Sequence, residues 1–288
     1  MVGQPEAVVR LQAQARCVRS PLAGSGGAIV WHVWAERRGG RAPLVLLHGG
    51  SGSWTHWLRN IEALVASGRE VWAADLPGFG DSAAVPGAQD VDGLLAPLLA
   101  SLRSVLAQRP CDLVGFSFGA MAAGMLQAAC PALARCLVLV GAPGMTAAAP
   151  NRVGLRGWRH LPGAAEQLAV HRHNLAAMMF ADAAHIDETA LQLHARNAER
   201  DRLTRRRLSN TDILARALRQ LACPVHAVYG EHDALYRGRF DELRAAWAAS
   251  ARDFRGLHLL EGAGHWAPYE QAPAFNRLLL QLLDAPAP

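Results

Sequence analysis

Along the chain, short apolar runs closed by turn residues alternate with longer stretches whose apolar positions recur at helical spacing. The runs at 28–36 (AIVWHVWAE), 43–48 (PLVLLH), 70–75 (EVWAAD), 111–116 (CDLVGF), 136–141 (CLVLVG), 224–230 (PVHAVYG) and 256–262 (GLHLLEG) predict strands. Stretches near 55–67, 91–108, 118–130, 239–250 and 273–283 predict helices, and GSGG at 24–27 reads as a hairpin turn before the second strand, the one at 28. Apolar strands separated by helices are what a largely parallel sheet requires, because crossover helices cover both of its faces.

The rhythm breaks once. Between Gly141 and Pro224 no strand-like run occurs, and the sequence is rich in Arg and His with a helical pattern. This predicts a helical cap inserted over 145–215 into an α/β core made of 1–144 and 216–288. With 288 residues, of which 51% are hydrophobic, the chain has ample material for a large buried core.

Charge changes the picture less than its total implies. The net charge is +5, yet all 29 basic residues are Arg, and the excess is local: residues 151–220 hold 12 Arg against 7 acids, the rest 17 against 17. A basic patch confined to the cap argues against nucleic acid as a partner. No stretch approaches the about 18 uninterrupted apolar residues of a membrane span, and Gln and Arg interrupt the first twenty residues where a signal peptide needs an apolar segment, so the expectation is a cytoplasmic protein. Cys17, Cys111, Cys130, Cys136 and Cys223 are odd in number and scattered, which predicts neither a disulfide framework nor a metal site. No cofactor is expected. The expected partner is a small-molecule substrate, with a homodimer as a possible assembly.

The candidate chemistry lies in LVGFSFGAMAAG, where Ser117 falls at the turn from the strand at 111–116 into a helix. A serine there sits in a strained backbone conformation, and Gly115, Gly119 and Ala120 are small enough to let strand and helix approach. The helix N-terminus also aims free amides at any negative charge that develops nearby. A serine hydroxyl needs a base, and the base needs a carboxylate to hold its tautomer. EHDALY follows the strand at 224–230 and AGHWAPYE follows the strand at 256–262, giving the order Ser117, Asp233, His265. His232 is the rival base and Glu231 the rival acid. His48 reads as a support for its loop, and Asp75 and Asp81 as turn caps.

This combination resembles the α/β-hydrolase family. LHGGSGSW (47–54) is similar to its His-Gly loop and DLPGFGDS (75–82) to its Asp-x-x-Gly-x-Gly loop, so the resemblance covers nearly the whole chain. It implies an oxyanion hole from the backbone amides of Phe118 and Gly50, with Ser51 as an alternative donor. Ser117 in place of the Asp that the family uses for dehalogenation and epoxide opening implies acyl transfer to water.

Within the serine branch, GHWAPYEQAPAFNRLLLQLL resembles the meta-cleavage-product hydrolases, which break a carbon–carbon bond in vinylogous diketone acids and carry Trp after the catalytic His. Trp266 fills that slot, and the Arg-rich segment LHARNAERDRLTRRR (193–207) is the expected source of the cap arginine that holds the substrate carboxylate in those enzymes, with Arg196 and Arg200 as the candidates. The elbow Gly-Phe-Ser-Phe-Gly departs from the Asn and Met that flank their serine, and HGGSGSW lacks their Pro-Gly segment. Phe116, Phe118, Trp54 and Trp57 read as an apolar acyl pocket. The expectation is therefore a serine hydrolase of a small apolar carboxylic ester. A carbon–carbon bond hydrolase is the alternative, and a ligand-binding member of the fold without turnover is a third reading.

Overall fold

The computed structural model describes residues 4–35, 41–146, 151–203 and 205–285; Glu36, at the end of the first expected strand, lies outside them, as do four residues at the start of the expected cap. Eight strands form one sheet in the order β1-β2-β4-β3-β5-β6-β7-β8. They are β1 (Arg16–Leu22), β2 (Gly27–Trp34), β3 (Leu44–Leu47), β4 (Val71–Asp75), β5 (Cys111–Phe116), β6 (Ala134–Val140), β7 (Val225–Gly230) and β8 (Phe254–Leu260). The pairs β1/β2 and β2/β4 are antiparallel and all others parallel.

Two apolar layers follow from the period of two along each strand. Val45, Leu47, Leu113, Leu137 and Leu139 face α3 (Asp92–Val105), α4 (Phe118–Ala129), α7 (Ile213–Leu218) and α8 (Phe240–Ser250). Leu44, Leu46, Val114, Phe116, Val138 and Val140 face α1 (Glu6–Ala13), α2 (Ile61–Ala66) and α10 (Ala272–Asp284).

The hairpin turn at 24–27 implies a strand ahead of it, but the pattern gives β1 no bounds and misses α1. β1 is an edge strand, largely exposed and containing two Arg and a Pro, so no apolar run marks it. The single helix expected over 55–67 is a 3-10 turn (Trp54–Trp57) followed by α2; between them the buried Asn60 donates through Nδ2 to Pro268 O at 2.8 Å.

Between β6 and β7 lie α5 (Ala164–Asn174), a π turn at Leu175–Met179, α6 (Glu188–Glu199) and α7. α7 already packs on the core, since a Cβ on Gly124 of α4 would meet Leu214 Cδ1 at 2.3 Å. No helix among the described residues is long and apolar enough to cross a membrane.

Candidate active site

Ser117 is held at φ 51°, ψ −114° between β5 and α4. That conformation is disfavoured for a residue with a Cβ, and its surroundings enforce it. Its amide donates to Val140 O at 2.7 Å, and its carbonyl accepts from Ala120 N at 2.9 Å. The flanking glycines leave no alternative: a Cβ on Gly115 would lie 2.4 Å from Gly119 O, and one on Gly119 2.4 Å from Leu47 O.

The loops after β7 and β8 bring the other two residues to this turn. His265 Nε2 lies 2.9 Å from Ser117 Oγ and its Nδ1 2.8 Å from Asp233 Oδ2. Asp233 Oδ1 accepts from Leu235 N at 3.0 Å, so the carboxylate is fixed before it meets the imidazole. With Nδ1–H donating to that carboxylate, Nε2 is left to accept the serine proton. Asp233 and His265 are buried and Ser117 is 8% exposed, where it faces a cavity. The two loops touch at Gly230, where a Cβ would lie 2.1 Å from Gly264 O. His232 and Glu231, the rivals, lie half-exposed with His232 Nε2 3.7 Å from Glu231 Oε2, turned away from Ser117.

The loop 48–51 closes the other side of the cavity. Leu76 N donates to His48 Nε2 at 2.9 Å, so the ring proton sits on Nδ1 and is donated to Gly49 O at 2.7 Å. Gly49 N in turn donates to His56 Nδ1 at 3.2 Å. Burial pushes the pKa of both rings down, that of His56 strongly, which keeps them neutral and fixes these tautomers. Both are loop supports. Gly50 and Phe118 line the cavity beside Ser117, and among the described residues neither amide donates to a protein acceptor.

The cavity measures about 660 Å³. Its apolar wall includes Phe118, Met121, Met178, Met179 and Leu235, and its basic groups come from Arg156, Arg159, His194 and Arg206. Four expected substrate contacts lie elsewhere. Phe116 points to the opposite sheet face, beneath His265 with ring centroids 5.2 Å apart. Trp266 is 1% exposed, donates from Nε1 to His56 O and stacks on Tyr269. Arg196 and Arg200 of the α6 end line a separate polar cavity of about 180 Å³, where Arg200 pairs with Asp81.

Within the Arg-rich segment 193–207, the arginine that lines Ser117's cavity is Arg206, and not Arg196 or Arg200. Its Nη2 donates to Ser51 Oγ at 3.0 Å and pairs with Asp201 Oδ2 at 2.9 Å, while its Nη1 is buried without a hydrogen-bond partner among the described residues. A Cβ on residue 50 would lie 2.9 Å from that Nη1, so the guanidinium packs directly against Gly50.

One imidazole–carboxylate cluster, His32, Asp75 and Asp81, has ligand-type atoms within 4.8 Å of one another. Its carboxylates are already engaged, since Asp75 Oδ1 accepts from Trp54 N, its Oδ2 from Asp81 N, and Asp81 is paired with Arg200, while neither nitrogen of His32 has a hydrogen-bond partner among the described residues. The cluster organises the loop after β4.

The sequence profile described as the alpha/beta hydrolase family matches residues 44–278. A 2-hydroxy-6-oxononadienedioate/2-hydroxy-6-oxononatrienedioate hydrolase of Pseudomonas putida is 29% identical over 263 residues, covering 85% of this chain and 88% of that protein. A 2-hydroxy-6-oxo-6-phenylhexa-2,4-dienoate hydrolase of Burkholderia cepacia is 30% identical over 253 residues, covering 83% and 87%. A carboxylesterase structure from Bacillus subtilis superposes with a TM-score of 0.75 at 16% identity, covering 98% of this chain and 96% of that one.

Proposed function

The chain belongs to the α/β-hydrolase family, and from that premise we propose that it hydrolyses a carbonyl substrate bearing a carboxylate, with carbon–carbon cleavage of an acidic vinylogous diketone as the first reading. Ser117 is the nucleophile, His265 the base and Asp233 the residue that holds its tautomer. As Ser117 Oγ attacks the carbonyl carbon, its proton passes to His265 Nε2, and the carbonyl oxygen becomes an oxyanion in reach of the Gly50 and Phe118 amides. His265 then returns the proton to the departing group, a conjugated carbon or an alkoxide oxygen. Water, deprotonated by the same imidazole, releases the acyl group from Ser117.

The single observation that carries the acidic substrate is the partnerless Nη1 of Arg206 in the cavity beside Gly50. A buried guanidinium N–H without an acceptor is costly, and a substrate carboxylate is the group that best relieves it. The relatives named above act, by their names, on such acids, which reverses the order of readings taken from the sequence. The second reading, a neutral ester, is favoured by the apolar wall of Phe118, Met121, Met178 and Met179.

Steady-state kinetics on a 2-hydroxy-6-oxo-dienoate and on p-nitrophenyl butyrate, with wild type and Arg206→Met, tests this. Loss of a charge-assisted bond is expected to raise KM for the acid by about 10- to 100-fold, with the ester's KM held within about twofold. Equal effects on both substrates would refute the acidic reading.

A further inference from the structure

The loop that carries His265 is fastened to the cap by one carboxylate. Glu270, at the end of α9 (Ala267–Glu270), has a side chain with 0% exposure. Its Oε2 accepts from Gly264 N at 2.7 Å and from Ala181 N at 2.9 Å. Its Oε1 accepts from Asp182 N at 3.2 Å and faces His185 Nδ1 at 3.0 Å. The same oxygen therefore binds the amide immediately before His265 and an amide of the cap segment.

That segment lies flush against the loop. Trp266 N donates to Met179 O at 2.8 Å, and a Cβ on Gly264 would come within 2.5 Å of Ala181 N. His265 is thus bracketed by two residues, Gly264 and Trp266, each tied to the strip 179–182, and Met178 and Met179 at its start line Ser117's cavity.

We infer that Glu270 is a positioning residue: through the Gly264 amide it sets His265 Nε2 against Ser117 Oγ, and through the Ala181 and Asp182 amides it ties that setting to the position of the cap. This rests on the triad proposed above. In Glu270→Gln one acceptor oxygen becomes an amide nitrogen facing backbone N–H groups, so the bracket opens on at least one side. Displacement of a base by a fraction of an ångström to one ångström lowers turnover steeply.

The test uses p-nitrophenyl acetate, whose acyl group is only two carbons long, together with thermal unfolding of each variant. The kcat of folded Glu270→Gln is expected to fall about 100-fold, below the assay temperature's unfolding range. A residue that only held the cap in place would leave kcat for the acetate unchanged and raise KM for long substrates alone, and kcat within about twofold of wild type overturns the inference. Glu270→Asp keeps the charge but retracts the oxygens. If the Gln variant does not fold, a loss of about tenfold or more in the Asp variant supports the inference and retention within about twofold overturns it. Ser117→Ala, run beside them, separates the cases: if it still turns over the acetate, the triad itself is wrong rather than the role of Glu270.

Discussion

Acid should unfold this protein through buried imidazoles, and His32 gives the clearest handle. Its ring is 2% exposed, lies 5.1 Å from Trp54 and 6.1 Å from Trp34 between centroids, and neither nitrogen has a hydrogen-bond partner among the described residues. Burial pushes its pKa from 6.5 down to about 4, offset only in part by the charge of Asp81, and burial does the same to His194. In the unfolded chain these rings take up protons near pH 6.5, in the folded chain only near 4, so between those values the unfolded state binds more protons. Stability is therefore complete above about pH 6.5 and drains as pH falls towards 4, by about 1.4 kcal/mol per pH unit per ring and about 3 kcal/mol for each ring in all. Two such rings represent a large part of the about 5–15 kcal/mol of a typical domain. Asp75, raised by burial, works in the opposite direction, towards the lower end of the window. The perturbation is His32→Phe, an apolar ring of similar shape that sacrifices no hydrogen bond. Urea unfolding followed by the fluorescence of the 8 Trp, at steps between pH 7 and 4.5, gives the slope. The variant should match or exceed wild type at pH 7 and lose stability on acidification less steeply by about 1.4 kcal/mol per pH unit. An unchanged slope would refute the argument, because it would mean that His32 is not kept neutral by the fold.

Two further outcomes follow from the site. Ser117→Ala should lower turnover of any substrate by about 10⁴- to 10⁶-fold while leaving thermal unfolding in place, and a variant that keeps a tenth of the activity removes the nucleophile assignment. Arg200→Ala breaks only the half-exposed pair with Asp81 outside the Ser117 cavity; it should cost less than about 1 kcal/mol in denaturant titration and leave KM for acidic substrates unchanged, whereas a rise of about tenfold would restore Arg200 to the pocket.

What could be read from the sequence was set by how strongly packing constrains each residue. β3 to β7 announce themselves because nearly all their positions are buried, so each carries a run of mostly apolar residues, interrupted by single polar residues such as Asp112 in β5 and Arg135 in β6. The turn at Ser117 was legible because only glycine fits at 115 and 119, and the order of the acid and base followed from the strand ends. Phe116 was read as pocket wall although the strand period already places it with Leu46 and Val114 on the face away from α4; counting alternate residues back from Ser117 would have found this. Within the Arg-rich segment no such signal distinguishes Arg206, which itself lies outside helix and strand, where neither a period of two nor of 3.6 fixes which way a side chain points.

The cap's surplus of Arg is an instructive case, because its net charge and its chemistry point in different directions. Arg200 pairs with Asp81, Arg216 with Asp212, Arg159 donates to Ala198 O, Arg172 to Ile186 O, and Arg202 to the carbonyls of Gly80 and Ser82. Arg159, Arg172 and Arg202 thus bind backbone carbonyls while Arg200 and Arg216 pair with carboxylates, tasks for which a planar fork with several donors is better suited than an ammonium. A segment can therefore be strongly basic for reasons of architecture. The ligand-directed charge is distinguished by a smaller feature: Arg206 satisfies one nitrogen with Asp201 and Ser51 and leaves the other buried and unpaired beside Gly50. The first arrangement holds the guanidinium in place, and the second leaves a directed donor, so an acidic substrate, as proposed, would be recognised by one nitrogen rather than by the sum over the cap.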